Sequence, residues 1–325
     1  MTINDFNEKT KRFLINKEPF LFIISFDKSE TYVYSFEEAA KNNILFDVGG
    51  ISNVENIPHE NVVPVPPIEV EPLLFPSYLE RFEKVVQNLK SGNSFLVNLT
   101  FPSKIISKMD LKSVFHQAKA PYKLLFKERF VCFSPECFIK IKDDQIYSYP
   151  MKGTIDAAHE NAEALLMNNV KEQQEHHTIV DLIRNDMSLI ARDVTVTKFR
   201  YLEKIKKEHG EILQSSSEIR GTLKADWKTK FGELVLKMLP AGSISGAPKP
   251  KTLEIIKEVE NYQRDFYTGI FGIFDGESID SGVAIRFIEK ENGQYWYKSG
   301  GGITHQSNVK EEYLELIDKI YIPTI

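Results

Sequence analysis

The residues best suited to chemistry stand in a few short stretches. Lys152 lies between Met151 and Gly153 in PMKGTI, at the end of a run of short strands. On an open loop such a lysine is merely solvated; enclosed, it is costly unless it takes part in a reaction. Glu136, in FSPECF, sits sixteen residues before Lys152 on an apolar strand run. A carboxyl buried there has a raised pKa and can act as an acid near neutrality; at a strand edge it simply faces water. Glu172 and Glu175 are three apart in KEQQEHHTIVDLIRND, and Glu312 and Glu315 repeat the spacing in KEEYLELIDK. Residues three apart share a helix face, so two helices offer four carboxylates to a hard cation. Mg²⁺ takes about six oxygens and keeps waters, so one or two direct carboxylates plus substrate oxygens suffice. The same spacing also fits two solvated faces, and Glu315 with Lys319 fits a plain i,i+4 ion pair.

Two glycine-dense stretches add backbone donors. PAGSISGAPKPKT (240–252) is a loop opening a helix, and SGGGIT (299–304) follows the YWYK run. Loops of this kind let backbone N–H groups approach an anionic ligand, or simply make tight turns. The first lacks the GxxxxGK[ST] pattern of a Walker A loop. Adjacent His176 and His177 point in different directions on a helix and read as packing or hydrogen-bonding residues; Trp227 and Trp296 read as core.

These residues need elements to position them. FLFIISF (20–26) is a buried-strand run and TYVYSF (31–36) alternates. Residues 56–76 hold Pro58, Pro64, Pro66, Pro67, Pro72 and Pro76, an extended connection. A helix follows, with Ser77 and Glu80 as a capping box, Leu79, Phe82, Val86 and Leu89 on one face and Gly92 as its stop. Strands are predicted at 94–101, 122–126, 129–133, 137–141 and 145–149, a helical region over about 157–190, and another strand at 193–199. Helices at 226–239, 250–260 and 308–321 bracket the strands GIFGIFDG, SGVAIRFIEK and QYWYKSG, with Asn292–Gly293 as a hairpin turn. Strands and helices mix without regular βαβ alternation, which predicts an α+β fold with large antiparallel sheets.

Composition narrows the function. The 325 residues are 42% apolar and 27% charged with a net charge of −5, giving no footprint for nucleic acid or an anionic membrane. Only Cys132 and Cys137 occur, so neither a disulfide framework nor a thiolate metal site is indicated. No apolar run approaches the roughly 18 residues of a membrane span, and residues 1–20 lack an apolar leader core. A cytoplasmic protein is expected.

Taken in order, SPECF (134–138), PMKGT (150–154), EHHTIVDLIRND (175–186), PAGSISGAPK (240–249), YTGIFGIF (267–274), AIRF (284–287), SGGGIT (299–304) and EEYLELIDK (311–319) resemble the chorismate-utilising enzymes. The resemblance runs from about 95 to 320. It implies one chorismate-binding catalytic domain over 1–325, with 1–75 a shortened N-terminal part and 77–325 the core, built as a sheet sandwich with surrounding helices. Within the family, anthranilate synthases typically carry alanine where Lys152 stands, whereas aminodeoxychorismate synthase component I carries lysine. The resemblance to the latter implies that Lys152 is a nucleophile adding at C2 of chorismate, and that Glu136 protonates the departing C4 hydroxyl. It implies Mg²⁺ held by Glu175 and Glu315, with Glu172 and Glu312 close by. It also implies substrate contacts from Gly153, Thr154, Ser243, Tyr267, Arg286, Gly301, Gly302 and Lys319. To attack, Lys152 must be neutral, so its pKa is expected to fall from the usual value of about 10.4 through burial or nearby positive charge, including the metal. Ammonia would come from a glutamine amidotransferase partner, since nothing in the chain resembles a glutaminase. A homo-oligomer is compatible with the sequence.

Two departures stand out. Leu96 replaces a glutamine of many relatives, and the water-activating lysine of isochorismate and salicylate synthases; leucine cannot activate water. Gln214 replaces a histidine and cannot act as a base. The alternatives are anthranilate synthase component I, against which Lys152 speaks, and a chorismate-binding protein without turnover, against which the intact set of Glu136, Lys152, Glu175 and Glu315 speaks.

Overall fold

The computed structural model describes residues 1–54, 67–71, 73–206 and 210–324. Its described strands form two nine-stranded sheets, antiparallel throughout. The first runs, edge to edge, Met151–Asp156, Glu211–Leu223, Gln145–Ser148, Cys137–Lys142, Ile279–Val283, Ile270–Phe274, Phe20–Ile24 and Thr31–Ser35, with Ala191–Lys206 also paired to Glu211–Leu223. The second runs Gly246–Ala247, Leu96–Ile105, Gln294–Ile303, Phe287–Glu291, Phe130–Ser134, Tyr122–Phe126, Ile44–Val48 and Ile51–Ser52, with Val70–Glu71 beside Leu96–Ile105.

The strand Phe20–Ile24 explains the layering. All five of its residues are buried. Leu21 and Ile23 face the second sheet, meeting Phe46, Leu124, Phe126 and Phe130. Phe20, Phe22 and Ile24 face the other way, onto Phe6 and Phe13 of the helix Ile3–Asn16 and Trp227 and Phe231 of the helix Trp227–Met238. A strand covered on both faces needs an unbroken apolar run rather than alternation. The outer face of the second sheet is covered by the helices Phe75–Lys90, Lys249–Val259 and Val309–Asp318. The result is helices, sheet, sheet, helices, the expected α+β sandwich.

Several local expectations are corrected. The helix Phe75–Lys90 begins two residues before Ser77, with Leu74 at its N-cap and no side-chain cap, so Ser77 and Glu80 form no capping box. Pro76 stands in its first turn, where a missing N–H costs nothing. Its buried face is Tyr78, Phe82, Val85 and Leu89, with Leu79 and Val86 only at the margin, because Tyr78 packs on Phe101 and Tyr313. Pro58, Pro64, Pro66 and Pro72 lie outside the described residues. The helical region 157–190 is two helices, Ala162–Asn168 and Val170–Ser188; Asn169 separates them and caps the second through the Glu172 N–H at 3.1 Å. Trp227 is buried and donates to Asp144 at 2.6 Å, whereas Trp296 is only half-buried.

SGVAIRFIEK is not one strand. Ile279–Val283 belongs to the first sheet and Phe287–Glu291 to the second, so the chain crosses between sheets through Arg286, whose φ is 51°. A second crossing runs from Phe130–Ser134 to Cys137–Lys142 through Glu136. The crossings are tied together: Val283 N–H donates to the Glu136 carbonyl and Phe133 N–H to the Arg286 carbonyl, both at 3.1 Å.

Candidate active site

A cleft of about 290 Å³ opens where these crossings meet the ends of the strands. One wall is Glu136 and Arg286. The strand Met151–Asp156 supplies Lys152, Gly153 and Thr154. The 242–246 turn contributes Ser243, and Tyr267 and Lys319 complete the wall. Gly300, Gly301 and Gly302 line the opposite side. Phe287–Glu291 flanks Gln294–Ile303 only as far as Lys298, so one backbone edge of the three glycines is left free of strand pairing. Every catalytic and substrate-contact residue expected from the sequence therefore borders one space.

Local geometry explains how the residues arrive. The Met151–Asp156 strand bulges between Met151 and Thr154, and Gly153 at φ +83° makes the bulge. A Cβ at Gly153 would also stand 3.0 Å from Glu172 Oε2, so glycine brings the lysine strand down onto the acidic helix. The Ser243 turn is anchored twice. Asp186, at the end of the helix Val170–Ser188, accepts from Gly242 N–H at 2.9 Å and from Lys249 Nζ at 2.7 Å. Arg264 donates to the carbonyls of Ile244 and Asn98 and pairs with buried Glu260 at 2.7 Å.

The carboxylates stand behind the cleft. Lys152 Nζ donates to Glu175 Oε2 at 3.1 Å, and Lys319 Nζ to Glu315 Oε1 at 2.7 Å and to the Gly300 carbonyl at 2.9 Å. A Cβ on Gly301 would lie 3.6 Å from Glu312 Oε2 and 3.7 Å from Lys319 Nζ, so Glu312 reaches the same backbone. Burial, reinforced by Glu175, raises Glu172; burial, reinforced by Glu315, raises Glu312. Burial would raise Glu315 too, but Lys319 holds it low. Lys319 itself is lowered, by burial and by the positive charges of Lys152 and Arg286, against the pull of Glu315.

Glu136 lies in the cleft wall beside Ser243. Burial raises its pKa, outweighing the Ser243 hydrogen bond and the charges of Lys152, Arg286 and Lys319. It sits on the crossing between strands rather than within one. Arg286 has no carboxylate partner among the described residues, and its Nε is buried without an acceptor. Its guanidinium lies over the Tyr321 ring at 5.4 Å. A fork held in this way, unneutralised, suits a ligand carboxylate.

A family model described as chorismate binding enzyme matches residues 11–324. The chain belongs to that family. An uncharacterized PabA-like protein of Haemophilus influenzae is 46% identical over 323 residues, 99% of this chain and 97% of that protein. Aminodeoxychorismate synthase component 1 of Bacillus subtilis is 30% identical over 259 residues, 75% of this chain and 54% of its own length. The solved anthranilate synthase component I of Streptococcus pneumoniae superposes with a TM-score of 0.66 at 23% identity, over 80% of this chain and 62% of that one; it shares the fold.

For a chorismate-binding enzyme the state of Lys152 matters, and burial alone does not produce the expected fall in its pKa. About a third of its side chain, 34%, is open to the cleft. Burial disfavours its charge, but Glu175, with Glu315 and Glu172, outweighs burial and raises its pKa. The lysine is held as an ammonium because three carboxylates see it and the neighbouring Lys319 and Lys171 do not offset them all. The same excess of negative charge is what a hard cation would relieve, so the donor chemistry of Glu172, Glu175, Glu312 and Glu315 fits Mg²⁺. Among the described residues, however, no three such side chains gather into a ready-made cation cage. Substrate oxygens and waters would have to complete any coordination.

Sequence reasoning missed Asn98, Lys298 and Ser299, which also line the cleft. The signal was adjacency: Lys298 and Ser299 directly precede the three glycines, and Asn98 is two along from Leu96 on one strand. It assigned no role to Asp186, although the motif containing it was noticed. Gln214 does border the cleft, with Nε2 2.8 Å from Met151 Sδ. Leu96 does not; it lines an adjoining chamber. His176 is a buried hydrogen-bonding residue, Nε2 to Ser217 Oγ at 2.6 Å, and His177 packs on Phe199. No described helix is long and apolar enough to cross a membrane.

Proposed function

We propose that this protein replaces the C4 hydroxyl of chorismate by an amino group, giving 4-amino-4-deoxychorismate for p-aminobenzoate and folate synthesis. The observation that carries the reading is the amine of Lys152 in the cleft wall, where an anthranilate synthase would present alanine. Lys152 first gives its extra proton to water; its lone pair forms a bond to C2, the two ring double bonds shift, and the C4–O bond breaks, the oxygen leaving as water with the proton of Glu136. Ammonia then bonds to C4, the double bonds shift back, the C2–Nζ bond breaks to release Lys152, and the new C4 ammonium returns a proton to Glu136. Alcohol and ammonia become amine and water, so the balance closes.

The other residues hold the substrate. Arg286 and Tyr267 take the enolpyruvyl carboxylate, with Ser243 beside Glu136. The free backbone edge of Gly301 and Gly302, with Lys319, faces the ring carboxylate, and Thr154 lies at the rim. Mg²⁺ held by Glu175 and Glu315, with Glu172 and Glu312 near, would supply charge neutralisation of the carboxylates around Lys152 and withdrawal of charge from the ring. Nitrogen comes from a glutamine amidotransferase partner or from free ammonium.

Purified protein incubated with chorismate, Mg²⁺ and ammonium chloride at mildly alkaline pH tests the reading by mass spectrometry. Aminodeoxychorismate is expected. Anthranilate would replace the reading with anthranilate synthase, and chorismate bound but unconsumed, with a binding protein.

A further inference from the structure

His176 has no part in the chemistry described so far, yet it is fully buried, on the helix Val170–Ser188 directly after Glu175. The strand it packs on, Glu211–Leu223, lies between two bulges. On one side the register steps from Met151 opposite Ser216 to Thr154 opposite Gln214, so Lys152 and Gly153 together face Ser215. On the other it steps from Lys198 opposite Glu218 to Tyr201 opposite Ser216, so Phe199 and Arg200 together face Ser217. Ser217 links the two. Its N–H donates to the Pro150 carbonyl at 2.9 Å, its Oγ accepts from Arg200 N–H at 2.9 Å, and Oγ stands 2.6 Å from His176 Nε2. Phe199 packs edge-on against the imidazole at 5.6 Å.

The other ring nitrogen, Nδ1, is buried and in hydrogen-bond geometry with no described residue. The acceptor near it is the Lys152 backbone. Burial, then the charge of Arg200, pushes the ring's pKa down to about 4, and the Lys152 backbone pulls the other way, as a carbonyl does on a ring N–H. A neutral imidazole carries one proton, and its surroundings choose the nitrogen. With the proton on Nε2, the Ser217 oxygen would accept twice, its own hydroxyl proton would lack an acceptor, and a bare Nδ1 would meet a carbonyl. With the proton on Nδ1, Arg200 N–H donates to Ser217, Ser217 donates to Nε2, and Nδ1–H is aimed at Lys152. Burial favours the arrangement that satisfies every group.

We propose that His176 is a positioning residue whose Nδ1–H holds the bulged backbone carbonyl of Lys152, while Glu175, the residue before it, holds the amine. The rate consequence rests on the amination reading; the contact itself does not. Such bonds are commonly loose in a resting site and tighten in the complex. A nucleophile displaced by 1 Å loses about a hundredfold in rate, and the bulge has no other ladder partner to prevent the slip.

Long-range proton–nitrogen NMR on histidine-labelled protein, with His176→Asn as the assignment control, reads the tautomer without turnover. The Nδ1–H form is expected; the Nε2–H form, the commoner one in water, overturns the proposal. In ammonium-dependent amination, His176→Phe keeps the bulk and loses the donor, and should lower kcat about a hundredfold with the KM for chorismate little changed. His176→Asn, whose amide N–H reaches close to where Nδ1 stood, should recover most of that loss. A folded Phe variant with wild-type kcat overturns the proposal. So does an Asn variant as slow as the Phe one, since a packing defect rather than a lost donor would then be responsible. A wild-type protein that forms no aminated product overturns the amination reading, and the tautomer then decides the Lys152 contact by itself.

Discussion

At the scale of single residues, the proposed reaction gives Lys152 the nucleophile's part and Glu136 the acid's. Lys152→Ala should lower amination by at least about a thousandfold, the scale of losing a covalent nucleophile, with chorismate affinity retained. Quenched-flow product analysis and equilibrium binding measure the two separately; unchanged amination would remove the lysine from the chemistry. Glu136 has a raised pKa, so its protonated form survives to higher pH than an ordinary carboxyl. Activity that needs this proton is present below the raised value and is lost as pH rises through it. Glu136→Gln should cost about 10²–10⁴ in kcat and abolish that alkaline limb. A pH profile that keeps the limb in the variant assigns the proton to another group.

At the scale of elements, the site depends on how the helix Val170–Ser188 is tied to the Gly242–Gly246 turn. Its first turns carry Glu172 and Glu175, and its last carries Asp186. Gly246, at φ +128°, lets the turn run against the Leu96 carbonyl, where a Cβ has no room. Asp186→Ala leaves the Lys249 ammonium, whose side chain is 21% exposed, with only the Met238 carbonyl at 2.8 Å and no counter-charge, and frees Gly242. A destabilisation of about 3 kcal/mol is expected by urea unfolding, the scale of breaking a buried pair from one side. Because the turn carries Ser243, the KM for chorismate should rise in the same variant. A stable variant with wild-type KM would mean that Arg264 alone holds the turn.

At the scale of the whole molecule, the cleft is where two sheets exchange strands. Its acidic back brings together two helices more than 120 residues apart in sequence, Val170–Ser188 and Val309–Asp318. If these glutamates hold Mg²⁺ as proposed, relief of their mutual repulsion should stabilise the fold. Mg²⁺ at a hundredfold its Kd should stabilise the fold by about 2.7 kcal/mol, and sodium chloride at equal ionic strength should not. Differential scanning calorimetry reads this without any turnover. Glu175→Gln should reduce the Mg²⁺-dependent shift; an unaltered shift would move the ligand set to the other glutamates.

Much of this protein is written locally. Phe20–Ile24 reads as a doubly covered strand because five consecutive apolar residues leave no face for water, and Asn292–Gly293 reads as a turn because both residues adopt positive φ. Glu136, Lys152 and the glycine run holding Gly301 could be picked out as residue types in local stretches, whereas Arg286 was named only through the resemblance to the chorismate-utilising enzymes. What a one-dimensional reading could not supply was their surroundings. The helix start at Phe75 was set by Tyr78 packing on Phe101 and Tyr313 rather than by the polar Ser77. AIRF looked like mid-strand, yet Arg286 marks the passage between sheets. Burial alone does not lower the pKa of Lys152, because three carboxylates reach it from two distant helices, and only the folded arrangement shows them. Propensity and periodicity act over a few residues and can be read along the chain. Electrostatics, cavities and strand exchange depend on distances that exist only once the two sheets have closed on each other.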